Sequence, residues 1–257
     1  MKMELRLSAL ALFSIIVITA CGGGGDDTSP VMATGSYPAF ITVAPSGKFA
    51  YAANWGSNDI SVYTINATTG ALTAGKAAAA GTNPASVTVD SSGKFAYAAN
   101  RGSNNISVYS IDATTGALTA GTAVAAGTNP YSVAVDPSGK FVYAANWGSN
   151  SISIYSIDST TGALTAGTAV AAGTSPDSIA VDPSGKFVYA ANWDSNNISV
   201  YTINATTGAL TAGTAVAAGT NPASVAVDPS GKFVYVANES DSTISVYTIN
   251  TTTGTLQ

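Results

Sequence analysis

The sequence predicts an all-β fold, a β-propeller of four-stranded antiparallel blades, and three observations predict it. Ser-Gly-Lys recurs at Ser46, Ser92, Ser138, Ser184 and Ser230, a constant step of 46 residues, and a fixed period of this length marks a repeat architecture. Each unit holds runs of alternating apolar character separated by turn residues, the pattern of short strands. Composition is the third: the 257 residues include 26 Gly and only 9% charged residues, against roughly 25% in an average chain. Sheets covered on both faces account for so apolar a sequence.

The third unit shows the elements in order. Ser132 to Asp136 alternates as a first strand, and Pro137-Ser138-Gly139-Lys140 turns the chain. Phe141 to Ala145 is rich in strand formers, Asn146 to Asn150 breaks it, and Ile152 to Ile157 alternates again. Asp158-Ser159-Thr160-Thr161-Gly162 is the next turn, and Ala163 to Gly173 supplies a looser, Ala-rich fourth strand. Four strands in such a unit match one propeller blade. A helical solenoid would place apolar residues at three and four spacing, and a parallel β-helix would use shorter coils. Large side chains such as Phe141 and Tyr143 alternate with Val142 and Ala144, so one blade's large face can seat on the small face of the next.

Five units span residues 31–257, and the ends suggest a closed ring. Gly254-Thr255-Leu256-Gln257 aligns with Gly116-Ala117-Leu118-Thr119, and Val31 to Pro38 aligns with Ala123 to Pro130. The expectation is that the N-terminal strand completes the last blade. A truncated array is the alternative.

Before the repeats, residues 1–20 read as an export signal. Lys2 and Arg6 supply positive charge, and Leu7 to Ala20 is almost uninterruptedly apolar, too short for a membrane span of about 20 residues. Ile18-Thr19-Ala20-Cys21 resembles the bacterial lipobox, which implies that Cys21 is lipidated; a free buried thiol is the alternative. Acyl chains contribute about 0.8 kcal/mol per buried methylene, so a multiply acylated cysteine would anchor the protein to a membrane. Residues 21–30 are then a lipidated cysteine and a flexible Gly-rich tether, and Gly22 after the cysteine suggests the outer membrane of a bacterial cell envelope, on its periplasmic or outward-facing side.

Charge and residue inventory exclude several functions. Net charge is -5 with only 9 Lys and Arg, which argues against a nucleic-acid surface. No His is present, which removes His-based triads, His-ligated zinc and His general bases. The single Cys leaves no disulfide, and no motif implies a cofactor. Asp194 to Asn197 and Glu239 to Ser242 offer oxygen ligands without the spacing of a full calcium loop, so no metal is expected.

Pro183-Ser184-Gly185-Lys186-Phe187-Val188-Tyr189-Ala190-Ala191-Asn192, followed by Ile198-Ser199-Val200-Tyr201 and Thr207-Gly208-Ala209-Leu210, resembles the lactonase-type β-propeller family. Tyr235-Val236-Ala237-Asn238 is similar to the related surface repeats named for Tyr-Val-Thr-Asn. The resemblance implies a propeller and, for the family's enzymes, hydrolysis of lactones such as 6-phosphogluconolactone by polar groups at the mouth of the central channel. Its members usually have seven blades, whereas five repeats are present here, and no catalytic residue is carried over.

A single site needs residues that differ among copies, since a residue repeated five times makes a ring. In a propeller, the loops joining strands two to three and four to one share a face. That face collects Asp59, Asp177, Asp194, Glu239, Asp241 and Arg101 and is the acidic one. After the Asn that ends each second strand stand Trp55, Arg101, Trp147, Trp193 and Glu239. With Asp194 they form the candidate ligand-binding set, the indoles offering flat apolar area and an N–H donor to a glycan or protein. Neutral variation on solvated loops and packing between blades are the alternatives. Arg101 and Glu239 are the candidate catalytic pair, as oxyanion stabiliser and base. The leading expectation is an envelope-anchored binding or structural module for a glycan or envelope protein rather than an enzyme; the alternative is a lactone hydrolase resembling 6-phosphogluconolactonase.

Overall fold

The computed structural model describes residues 31–257, which form β-strands and turns with no helix among them. The leader, Cys21 and the tether lie outside the described residues. Five antiparallel sheets follow one another along the chain, one per repeat, as the 46-residue period requires. In the third blade the strands are Pro130–Val135, Phe141–Asn146, Ser151–Ile157, Leu164–Ala166 and Val170–Ala171. The last two pair with the same neighbour, Ser151–Ile157. The fourth strand is thus broken into two pieces at Gly167, whose N–H donates to the Ile154 carbonyl at 2.8 Å.

In four of the five blades a recurring aspartate builds the turn between the first two strands, Ala44 standing in its place in the first. Asp136 Oδ1 accepts from the Lys140 and Phe141 N–H groups at 2.8 and 2.7 Å, and Oδ2 accepts from the Ser138 N–H at 3.0 Å and from its hydroxyl. This is the local backbone role expected of an Asp at a turn. The same contacts recur at Asp90, Asp182 and Asp228.

Blades stack large on small. Phe95, Tyr97, Ile106 and Val108 of the second blade form one cluster with Val133, Val142, Ala144 and Tyr155 of the third. Equivalent clusters join the first blade to the second, the third to the fourth and the fourth to the fifth. At each junction a tyrosine crosses: Tyr51, Tyr97, Tyr143 and Tyr189 donate at 3.0 Å to the carbonyls of Gly116, Gly162, Gly208 and Gly254. Those glycines also lie against phenyl rings. A Cβ at Gly208 would stand 2.3 Å from the Phe141 ring, closer than real carbons approach. Burial pushes the Tyr51 phenol up to about 12 and raises Tyr97, Tyr143 and Tyr189 as well, so all four remain donors.

The predicted closure is corrected. The fifth sheet has three strands, Pro222–Val227, Phe233–Asn238 and Thr243–Thr248, extended only by the bridge between Ile249 and Leu256. Residues 33–37 make to the first blade the contacts that a fourth-strand piece makes to the following blade, Tyr63 donating to the Ala33 carbonyl at 2.9 Å as Tyr109 does to Ala79 at 2.8 Å, but they do not pair with Thr243–Thr248. Among the described residues no apolar cluster joins the fifth blade to the first. Ile41 of the first blade is 57% exposed where its equivalent Val87 is fully buried, and Val246 of the fifth is 60% exposed where Val200 is 4%. The first-blade and fifth-blade faces are thus left unpaired within this chain.

Candidate active site

Five equivalent stations ring the face formed by the loops between second and third strands. Each is fixed by the same backbone bonds. Trp55, Arg101, Trp147, Trp193 and Glu239 donate their N–H groups to the carbonyls of Tyr37, Asn83, Asn129, Ser175 and Asn221 at 2.9 to 3.0 Å. Those five acceptors all have positive φ, between 51° and 57°, a conformation that Asn tolerates better than most residues. Below each station a buried asparagine, Asn100 for example, donates to a serine of the next strand, here Ser107 at 2.8 Å. The scaffold is therefore the same at every station while the displayed side chain changes.

A second set of varied positions lies beside the first. Each innermost strand carries a register shift just after its proline, at Ala39, Ala85, Tyr131, Asp177 and Ala223. A bulge of this kind re-aims one side chain out of the ladder. Three of the five are alanine; Tyr131 and Asp177 are the exceptions.

Arg101 is the centre of the arrangement. Its guanidinium carbon lies 5.2 Å from the Trp55 ring centre, 5.3 Å from Trp147 and 5.8 Å from Tyr131. Trp55 and Tyr131 meet edge to face at 6.4 Å. Each cation–π contact contributes about 0.5–1 kcal/mol, more where water is excluded. The aromatic residues thus fix the cation in place, while Arg101 Nε is buried without a hydrogen-bond partner.

Asp177 completes the charge pattern. Burial pushes its carboxyl up to about 7, the Glu239 charge adds to the rise, and the Arg101 charge opposes it. The three groups consequently act on one region, although they come from the second, fourth and fifth blades. A carboxyl raised toward neutrality and electrostatically coupled to a fixed cation makes Asp177 a candidate acid–base group.

The sequence-predicted residues divide accordingly. Trp55, Arg101 and Trp147 are brought together, and Glu239 is electrostatically coupled to the same region. Trp193 stands half-buried at the fourth station. Asp194 is not brought in: it is exposed and accepts from the Ser175 hydroxyl at 2.6 Å, which ties its loop. Asp241 likewise accepts from the Thr220 N–H at 2.5 Å. Sequence reasoning placed Asp177 on the acidic face but missed it, with Tyr131, as a site residue. The available signal was the position after the proline that opens each first strand, which reads Ala, Ala, Tyr, Asp, Ala. Among the described residues, no group of three or more Cys, Asp and Glu is arranged to hold a metal ion.

The sequence matches the family described as lactonase, 7-bladed β-propeller, over residues 24–134, 122–225 and 211–257. The chain belongs to that family. No curated protein matches this lactonase-family chain. Among solved structures it is similar to a periplasmic gluconolactonase of Pseudomonas aeruginosa, at 19% identity over 85% of this chain and 68% of the other, with a TM-score of 0.74. A candidate 6-phosphogluconolactonase of Bacteroides uniformis matches at 20% identity over 88% of this chain and 85% of the other, TM-score 0.66. A Desulfotomaculum acetoxidans protein of unknown function matches at 18% identity over 88% and 70%, TM-score 0.76. At these identities the likeness speaks to the fold.

Proposed function

We propose that this lactonase-family chain hydrolyses a sugar lactone at the Arg101–Asp177–Glu239 face. The observation that carries this reading is the Asp177 carboxyl, raised to about 7 beside the aromatic-held Arg101. In its ionised form Asp177 takes a proton from water as the oxygen adds to the lactone carbonyl carbon. Arg101 stabilises the resulting oxyanion; one fixed donor of this kind is worth about 10²–10³ in rate. The ring C–O bond then breaks, and the leaving oxygen takes up the proton held by Asp177. Lactone and water give one hydroxy acid, and the base is restored. Glu239 keeps the Asp177 proton affinity high enough for both transfers.

The leader and Cys21 support an envelope location with a lipid anchor, which would place this chemistry on sugar lactones outside the cytoplasm. The test is turnover of a panel of aldonolactones by pH-stat, corrected for spontaneous hydrolysis, with Asp177→Asn and Arg101→Met alongside. Turnover lost in both variants is expected. Absence of turnover on every lactone, or an unchanged rate in Asp177→Asn, overturns the reading.

A binding role for the same face is the second reading, favoured by the aromatic wall of Trp55, Tyr131 and Trp147 and by Trp193 beside it. The guanidinium already occupies the neighbourhood of three of these rings, which weakens a sugar-stacking platform. Retention on a glycan or envelope-protein array, unchanged by Asp177→Asn, would favour it.

A further inference from the structure

The two ends of the arc are the two halves of a junction that the chain builds four times internally. The fifth blade leaves Phe233, Tyr235, Ile244 and Val246 exposed; the first leaves Ile41 and Val43 exposed. Neither group includes a charged residue. Their equivalents one repeat away are covered: Phe187 is 2% exposed where Phe233 is 38%. We propose that a second copy of this chain covers them, the first blade of one molecule packing head-to-tail on the fifth blade of another.

The internal junctions specify the contacts residue by residue. Phe141 lies on Gly208 and Tyr143 donates to its carbonyl. The corresponding partners for Phe233 and Tyr235 are Gly70 of the second copy and its carbonyl. Gly70 has the same φ, +71° against +72°, but an added Cβ there would meet nothing within 4 Å, so that seat is open. At the inner strands the Val133, Ile179 and Val225 N–H groups approach the hydroxyl oxygens of Ser86, Ser132 and Ser178 at 3.4, 3.3 and 3.2 Å; the equivalent pair here is Ile41 N–H with Ser224 Oγ. At the rim, Ala78 and Ala79 pair with Ile60 and Asp59. Their equivalents are Met32 and Ala33 of the incoming copy against Ile244 and Thr243. The strand expected to close the ring within one chain therefore completes the last blade of a neighbour.

Because the two surfaces differ, the association is heterologous and continues until a ring closes or a filament grows. Blade-to-blade burial of apolar surface, at about 25 cal/mol per Å², supplies the attraction, and edge pairing fixes the register.

Two end-blocked variants test this, each altered at an already exposed position so that folding is preserved, as a melting curve checks. Ile244→Asp blocks the fifth-blade face and Ile41→Asp the first-blade face. In sedimentation velocity the unaltered protein is expected to gain mass with concentration, and each variant alone to remain a single chain. An equimolar mixture of the two should give a species of twice the mass and none larger. The proposal is overturned if the unaltered protein stays a single chain at every concentration. It is equally overturned if the mixture yields no two-chain species, or if either variant alone still associates. A single chain that also protects the outward-facing amides of the edge strand Thr243–Thr248 from exchange would show closure within one molecule instead.

Discussion

The two faces of the arc are made by the same five repeats, yet they do different work. On the face of the first-to-second-strand turns, Asp90, Asp136, Asp182 and Asp228 repeat one hydrogen-bond pattern, and only the first repeat departs from it, with Ala44 in the aspartate's place. On the opposite face the backbone is just as regular, but the five stations display Trp, Arg, Trp, Trp and Glu, and the five bulges Ala, Ala, Tyr, Asp and Ala. Repetition sets the shape, while departures from repetition set the chemistry. Identical stations let one side chain change without disturbing the frame that holds it.

The sharpest way to break this comparison is to exchange the two kinds of aspartate. Asp177→Asn should lower kcat/KM for a lactone substrate by about 100-fold or more, the range for loss of a general base, with the melting temperature preserved; stopped-flow or pH-stat kinetics measure it. Asp136→Ala should do the reverse. It removes a carboxylate that accepts from three backbone N–H groups, and bonds to charged groups are worth about 1.5–3 kcal/mol each, not all additive. A loss of about 2–3 kcal/mol in urea unfolding is expected, with kcat/KM per folded molecule unchanged.

A smaller effect probes the scaffold alone. Tyr143→Phe keeps the ring buried but leaves the Gly208 carbonyl without its 3.0 Å donor, which should cost about 1 kcal/mol in the same unfolding assay. A further effect concerns pH. The folded Asp177 holds a proton up to about pH 7, whereas the unfolded chain releases it near 3.9. Its contribution to stability is therefore full below about pH 4, and is lost as pH rises through about 7. Unfolding free energy should fall across that window in the unaltered protein, and Asp177→Asn should flatten the slope.

Much of the fold is legible in the sequence, for a physical reason. Strand, turn and strand recur with the same residues, so Asp136-Pro137-Ser138-Gly139-Lys140 and its copies mark the blade edges with no knowledge of tertiary structure. The station residues are legible too, because they interrupt a repeat. Asp177 is harder to recognise. Its proton affinity depends on burial in a bulge and on Glu239 and Arg101 of other blades, none of which is local in sequence. Ring closure is hidden for a related reason: alignment of Val31 to Pro38 with Ala123 to Pro130 shows which strand could complete a blade, but not the angle between blades. After five repeats the outer faces of the first and fifth blades are left exposed.

The claim that the varied face is a working acid–base site rests on the ionisation of one carboxyl. Carbon-13 NMR can follow the Asp177 carboxyl directly, with Asp177→Asn for assignment. The account predicts a midpoint near 7, lowered by Glu239→Gln and raised by Arg101→Met. A midpoint in the ordinary carboxylate range near 4, indifferent to both substitutions, would contradict it.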